Sequence, residues 1–245
     1  MHVLFVAPEF PAYQRQFVRA LKAAGARVTG IGERPVEWLD DDLRSWMDGY
    51  VKVSSVCHEG ELLAAVRRCQ AAGWVDRLET TVEAHIMPVA KVREAATIPG
   101  LSVRAAWLCR DKPAMKAFLR EHGVPCAQSS SADSPAEVRA FADAVGYPII
   151  LKPRAGAGAD GTMRVNRVEE LPAAYQGMGL GANRWAAGTS IAVEEFIEGH
   201  EGFYDTMTIN GEIVYEFVSH YYPNVLEAMR HRHISPMIIH TNRSD

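Results

Sequence analysis

Residues 150–162 read I-L-K-P-R-A-G-A-G-A-D-G-T, and Gly156, Gly158 and Gly161 within them spell G-x-G-x-x-G. Such a run lets backbone N–H groups close on phosphate oxygens, because glycine has no Cβ to hold them off. Lys152 stands just before it in the apolar run I-I-L-K-P, where an ammonium group needs an anion to justify its place. A dinucleotide fingerprint requires a strand, the glycine turn and then a helix whose N-terminus takes the pyrophosphate. Here T-M-R-V-N (162–166) follows and favours a strand, and the next helix signal starts only at about Val168. A P-loop fails as well, since its lysine follows the glycines whereas Lys152 precedes them. The order strand, glycine loop, strand describes a hairpin able to close over phosphates. The competing explanation of this segment alone is a surface hairpin with Lys152 reaching solvent.

A second stretch, S-I-A-V-E-E-F-I-E-G-H-E (190–201), is an apolar strand that runs into two carboxylates, then Phe196, Ile197, Gly199 and Glu201. A strand leaving a sheet in this way offers backbone C=O and N–H groups to an adenine edge, and a carboxylate just beyond can take ribose hydroxyls. Alone, it also fits an edge strand with solvated acids. No Ser–His or Cys–His pattern suggests a covalent nucleophile. His231, His233 and His240 lack a Cys or acidic partner at ligand spacing. Cys57, Cys69, Cys109 and Cys126 form no C-x-x-C pair and read as free thiols in a reducing cytoplasm.

The elements that must carry these residues fall into two regions. The first 95 or so residues alternate strand and helix signals: V-L-F-V-A (3–7), a helix over 13–24 ended by Gly25, V-T-G-I-G (28–32), G-Y-V-K-V-S (49–54), an amphipathic helix over 59–73, and W-V-D-R-L-E (74–79). That alternation predicts a parallel sheet covered by helices on both faces. P-E-F-P stands at the first strand–helix turn in place of a glycine fingerprint, which argues against a nicotinamide cofactor there. I-P-G-L-S (98–102) marks a boundary. Beyond it, D-K-P-A-M-K-A-F-L-R-E-H-G (111–123) predicts a helix with Asp111 as N-cap and Pro113 in the first turn, and V-P-C-A-Q-S (124–129) a strand. S-P-A-E-V-R-A-F-A-D-A-V-G (134–146) predicts a second helix, capped by Ser134 and stopped by Gly146, and a strand follows.

Length and composition bound the function. The chain of 245 residues suffices for one large domain or two small ones, and 48% hydrophobic with 23% charged residues is ordinary for a globular protein. A net charge of -4 without a long basic run argues against nucleic acid and anionic membranes as partners. No window approaches the roughly 18 apolar residues of a membrane span. M-H-V-L-F-V-A-P-E-F has no basic n-region and reads as a first strand, not a signal peptide.

Three of these segments, D-K-P-A-M-K-A-F-L-R-E-H-G-V-P, I-L-K-P-R-A-G-A-G-A-D-G-T and V-E-E-F-I-E-G-H-E, resemble in order and interval the motifs of the ATP-grasp superfamily over about residues 100–220. The resemblance implies an α/β protein: a parallel-sheet, Rossmann-like pre-ATP-grasp domain over 1–100, then an α+β ATP-grasp domain over 101–245. The latter would hold a lid subdomain at about 112–188 and the start of a large lobe at about 189–245. It implies Lys112 and Lys152 as phosphate-binding and catalytic lysines, and Gly156, Gly158 and Gly161 as the lid. Glu194 would face the adenine amino group, the main chain of Glu195 and Ile197 would bond the adenine edge, and Glu201 would hold the ribose. T-M-T-I-N-G-E-I-V-Y-E-F-V-S-H (206–220) would be a hairpin turning at Asn210–Gly211.

The implied cofactors are ATP and Mg²⁺. The implied activity is an ADP-forming ligase that activates a carboxylate as an acylphosphate for attack by an amine. A bicarbonate-activating carboxylase subunit and a non-catalytic ATP-binding module are the alternatives. Small-molecule carboxylate and amine substrates, a cytoplasmic location and a homodimer as candidate assembly complete the expectation. The family's E…E-x-N metal pattern is not found after Glu201; Asp205, Glu212 and Glu216 are strand residues without a partner pattern. The metal ligands are therefore expected beyond residue 245, and the 245 residues alone are expected to turn over little.

Overall fold

The computed structural model describes residues 1–154, 161–186, 188–231 and 233–242. The chain divides into two compact units, Met1–Cys109 and Arg110–Asp245.

The first unit alternates β1 (His2–Val6), α1 (Arg15–Ala23), β2 (Arg27–Gly32), α2 (Asp41–Trp46), β3 (Gly49–Lys52), α3 (Glu59–Ala72), β4 (Arg77–Glu79), α4 (Ile86–Ala95) and α5, which runs up to the boundary (Val103–Arg110). Its sheet has the order β3-β2-β1-β4, and every pairing is parallel. β1 shows why such a strand is apolar throughout: Val3 and Phe5 enter one core with Val18, Val28 and Leu43, while Leu4 and Val6 enter another with Ile31, Leu62, Leu78 and Val89. Alternate side chains take opposite faces, and both faces are covered. Gly25, at φ +79, turns the chain out of α1 as its position in the sequence suggests.

In this unit α2, α4 and α5 lacked a sequence signal. In α4, Arg93 is buried with Val89, Ala90 and Val92, while Lys91, Glu94 and Ala95 are exposed, so a charged residue on the buried side blurs the helical stripe of I-M-P-V-A-K-V-R-E-A. The strand expected at 74–79 shortens to Arg77–Glu79, leaving Trp74 exposed. No helix among the described residues is long and apolar enough to cross a membrane.

The second unit opens with α6 (Lys112–Glu121), followed by β5 (Ser129–Ala132), α7 (Pro135–Val145), β6 (Ile149–Pro153), β7 (Met163–Val165), α8 (Leu171–Gly177), α9 (Ala182–Ala186) and β8 (Ile191–Glu195). β5, β8, β6 and β7 form an antiparallel sheet in that order. Ile149, Leu151, Ile191 and Val193 on one face pack with Val138, Ala142, Leu171 and Ala174 of α7 and α8. The strand expected from Val124 begins only at Ser129, because Arg120 of α6 donates to the Ala127 carbonyl and holds the preceding segment along the helix. β9 (Gly202–Ile209), β10 (Glu212–Tyr222), α10 (Val225–Arg230) and β11 (Met237–Thr241) complete the unit, with the strands in the order β11-β10-β9. The β9–β10 turn has Asn210 at φ +52 and Gly211 at φ +87, the two left-handed positions that an Asn-Gly hairpin turn requires.

Candidate functional site

The period-2 alternation that buries Ile149 and Leu151 of β6 turns Ile150 and Lys152 to the opposite face. The same holds in β8, where Ile191 and Val193 enter the core and Ala192 and Glu194 face the other way. The register pairs Ile150 with Glu194 and Lys152 with Ala192, so Lys152 and Glu194 are diagonal neighbours within reach of a long side chain. The Lys152 ammonium donates to Glu194 Oε2 at 2.6 Å.

α6 delivers two further ammonium groups. Asp111 caps the helix by accepting the Ala114 N–H at 3.0 Å through Oδ1. Its other oxygen accepts from Arg154, just past β6, at 2.7 and 3.1 Å, and Arg154 also donates to Ser190 at the approach to β8. One guanidinium thus ties the start of α6 to β6 and β8. Lys112 and Lys116 follow one turn apart on the helix, hence on one face. Lys116 reaches the same Glu194 Oε2 at 2.7 Å. The side chains of Glu194, Lys116 and Lys152 are only 6%, 14% and 20% exposed. Glu194 Oε1 is buried and has no hydrogen-bond partner among the described residues.

A cavity of about 580 Å³ opens beside this cluster. Lys112, Lys116, Lys152 and Glu194 line it together with Glu195, Phe196, Ile197, Glu201 and Phe203. Burial pushes the Lys152 ammonium below its ordinary pKa, against the pull of Glu194. Burial does the same to Lys112, helped by the neighbouring Arg110. Two depressed lysines around one cavity make an electrostatic site for an anion, because an incoming negative charge restores what desolvation removed.

Six of the residues singled out in the sequence meet at this cavity: Lys112, Lys152, Glu194, Glu195, Ile197 and Glu201. Their contacts differ in part from expectation. Glu194 gives Oε2 to two lysines. The Glu195 N–H donates to the Gln128 carbonyl at 3.0 Å, and the Glu195 side chain accepts from Gln128 at 2.8 Å. Ile197, 62% exposed, donates its N–H to no acceptor among the described residues and can serve an incoming edge. Glu201 accepts the Val225 N–H at 2.7 Å through Oε2 and so caps α10. Gly161 lies at φ +66, and a Cβ there would come within 3.1 Å of Pro153, so glycine suits both backbone and space. Gly156 and Gly158 lie outside the described residues.

Lys116 and Arg154 were missed by the sequence reading. The signal for Lys116 was its place four residues after Lys112; Arg154 carried none, since its partner stands 43 residues away. A second cavity, of about 680 Å³, shares Phe196, Ile197, Glu201 and Gly202 with the first and adds Gly199 and His200. Its cation is Arg164, stacked 3.9 Å over the Phe196 ring, in place of a lysine cluster. Among the described residues no group of three His, Cys, Asp or Glu side chains gathers to hold a metal ion. Asp205 and Glu216 take opposite faces of their sheet, since Asp205 pairs with Phe217 next to Glu216, and cannot share one ion.

Residues 111–204 match the family model described as carbamoyl-phosphate synthase L chain, ATP binding domain. The chain is 26% identical over 185 residues to an L-arginine-specific L-amino acid ligase of Bacillus subtilis, covering 75% of this chain and 45% of that protein. It is 34% identical over 102 residues to a D-alanine–D-alanine ligase of Ralstonia pickettii, covering 42% of this chain and 29% of the relative. The chain therefore spans less than half the length of these curated relatives. In fold it is similar to the biotin carboxylase domain of the Hydrogenobacter thermophilus 2-oxoglutarate carboxylase, solved in complex with ADP, MgADP and bicarbonate. The TM-score is 0.69 at 18% identity, over 90% of this chain and 53% of that one.

Proposed function

We propose, from the premise that this chain belongs to the ATP-grasp superfamily, that it is the nucleotide-binding part of an ADP-forming ligase joining a carboxylate to an amine. The observation that carries this reading is the single cavity flanked by three lysines and by the 195–203 segment. A nucleoside triphosphate matches both ends of it. Its phosphates are an anion that the partly buried ammonium groups of Lys112 and Lys152, facing the cavity, can bind. The Ile197 N–H, without an acceptor among the described residues, offers a donor to a purine edge.

ATP, when bound, supplies the phosphoryl group that turns a carboxylate into an acylphosphate. Lys112 and Lys152 then hold and neutralise the phosphates, and Asp111 and Arg154 keep α6 and β6 at a fixed separation so that the ammonium groups converge. Such catalysis is positioning and charge neutralisation, with no protein nucleophile. In this account Glu201 shapes the cavity wall through α10, and Gly161, with Gly156 and Gly158, belongs to the loop over the phosphates. Mg²⁺ accompanies ATP in the expected chemistry, and among the described residues no group of three His, Cys, Asp or Glu side chains gathers to hold it. The carboxylate and amine substrates, the homodimer and the cytoplasmic location stay part of the proposal. So does the division of residues 101–245 into a lid at about 112–188 and a larger lobe.

Two measurements test this. Calorimetric titration should show ATP binding in preference to NAD⁺. In a coupled assay with Mg²⁺ and panels of amino acids, whatever ADP is released should need a carboxylate and an amine together. ADP release that needs neither would refute the ligase reading, and NAD⁺ binding more tightly than ATP would refute the nucleotide assignment.

A further inference from the structure

Glu194 is buried and bears two ammonium groups on one oxygen, Lys152 at 2.6 Å and Lys116 at 2.7 Å. A buried carboxylate stripped of every cation is strongly disfavoured. If Lys152 were its sole partner, turning Lys152 toward a phosphate would leave Glu194 uncompensated, and the two groups would hold each other as a closed neutral pair. Lys116 removes that conflict. It comes from a different element, α6, and reaches Glu194 Oε2 by its own ion pair at 2.7 Å.

We propose that Lys116 is a positioning residue for phosphate binding: it retains the charge of Glu194 so that Lys152 is free to engage the nucleotide. This rests on the nucleotide reading above and assigns Lys116 a role that acts through Glu194, not through contact with the phosphates. One signature follows. Neutralising Glu194 should make Lys116 dispensable, because a glutamine at 194 no longer holds Lys152.

The test is a double-mutant cycle in the full chain, read by calorimetry with ATP, ADP and adenosine, with thermal melts to confirm folding. Lys116→Met should weaken ATP and ADP binding by about tenfold or more, the scale of one charge-assisted contact, and adenosine binding by less than about threefold. Lys116→Arg should restore phosphate affinity. The double variant Lys116→Met/Glu194→Gln should bind ATP within about threefold of Glu194→Gln alone, a coupling that independent sites do not show. An equal loss for adenosine and ATP in Lys116→Met would overturn the proposal by making Lys116 merely structural. A double variant as weak as Lys116→Met would overturn it by making Lys116 a direct phosphate ligand. Failure of the wild-type chain to bind ATP would remove the nucleotide reading and this inference with it. Binding by the wild type with additive changes in the cycle would remove the inference alone.

Discussion

Replacing Lys152 by methionine separates binding from folding at this site. Lys152 makes one charge-assisted hydrogen bond, to Glu194 Oε2, and faces the cavity. Methionine keeps most of the stem that packs beside Ala192. Glu194 is not orphaned by the change, because Lys116 remains on the same oxygen at 2.7 Å. The penalty of roughly 3–5 kcal/mol for a stripped buried charge therefore does not apply, and the loss of stability should stay under about 1.5 kcal/mol. The phosphate contact is lost outright. A charge-assisted hydrogen bond contributes about 1.5–3 kcal/mol, which corresponds to about 13- to 160-fold in affinity. Calorimetry should show ATP affinity reduced within that range and adenosine affinity nearly unchanged, with a thermal midpoint shifted by only a few degrees. An unaltered ATP affinity would take Lys152 out of the site, and with it the assignment of the cavity.

The remaining expectations concern the same frame. The double variant Lys116→Met/Lys152→Met leaves the buried Glu194 without either lysine and should lose roughly 3–5 kcal/mol in denaturant unfolding, far more than the sum of the single variants. Asp111→Ala removes the α6 cap and the anchor of Arg154; it should cost about 1 kcal/mol from the cap alone and weaken ATP binding by displacing Lys112 and Lys116, measured by melting and titration together. The pH dependence has a definite sign. Lys152 loses its proton more easily than an ordinary lysine because it is buried, and phosphate binding needs the protonated form. ATP affinity should be constant at neutral pH and fall as pH rises, beginning below the ordinary lysine value of about 10.4, while adenosine affinity stays flat. In Lys152→Met the fall should be reduced.

Much of this arrangement was legible in the sequence because local rules control it. The parallel sheet follows from alternating strand and helix patterns, as in V-L-F-V-A, whose buried run is what a strand covered on both faces requires. Asp111, Ser134 and Gly146 mark helix ends through cap chemistry that acts within four residues. The rejection of a dinucleotide fold needed only the order of strand, glycines and strand, which β6 and β7 reproduce as an antiparallel pair. What was illegible depends on distant partners. The Glu194 carboxylate looked available for a base, but Lys116 and Lys152 occupy Oε2 across separations of 78 and 42 residues by number. Glu201 was read as a ribose ligand, and the sequence did not reveal that its Oε2 also caps a helix that starts 24 residues later. α4 went unseen because the charged Arg93 lies on its buried side and blurs the periodic stripe.

Amide hydrogen exchange of the full chain, with and without saturating ATP, tests the central claim most directly, since it locates the nucleotide without assuming any residue's role. Peptides spanning 112–116, 150–153 and 194–203 should exchange more slowly with ATP, the last of them including the free Ile197 N–H, while NAD⁺ at the same concentration leaves them unchanged. Protection confined to residues 1–109, or no difference in these three segments at an ATP concentration that saturates the calorimetric signal, would contradict the placement of the nucleotide in the lysine-lined cavity.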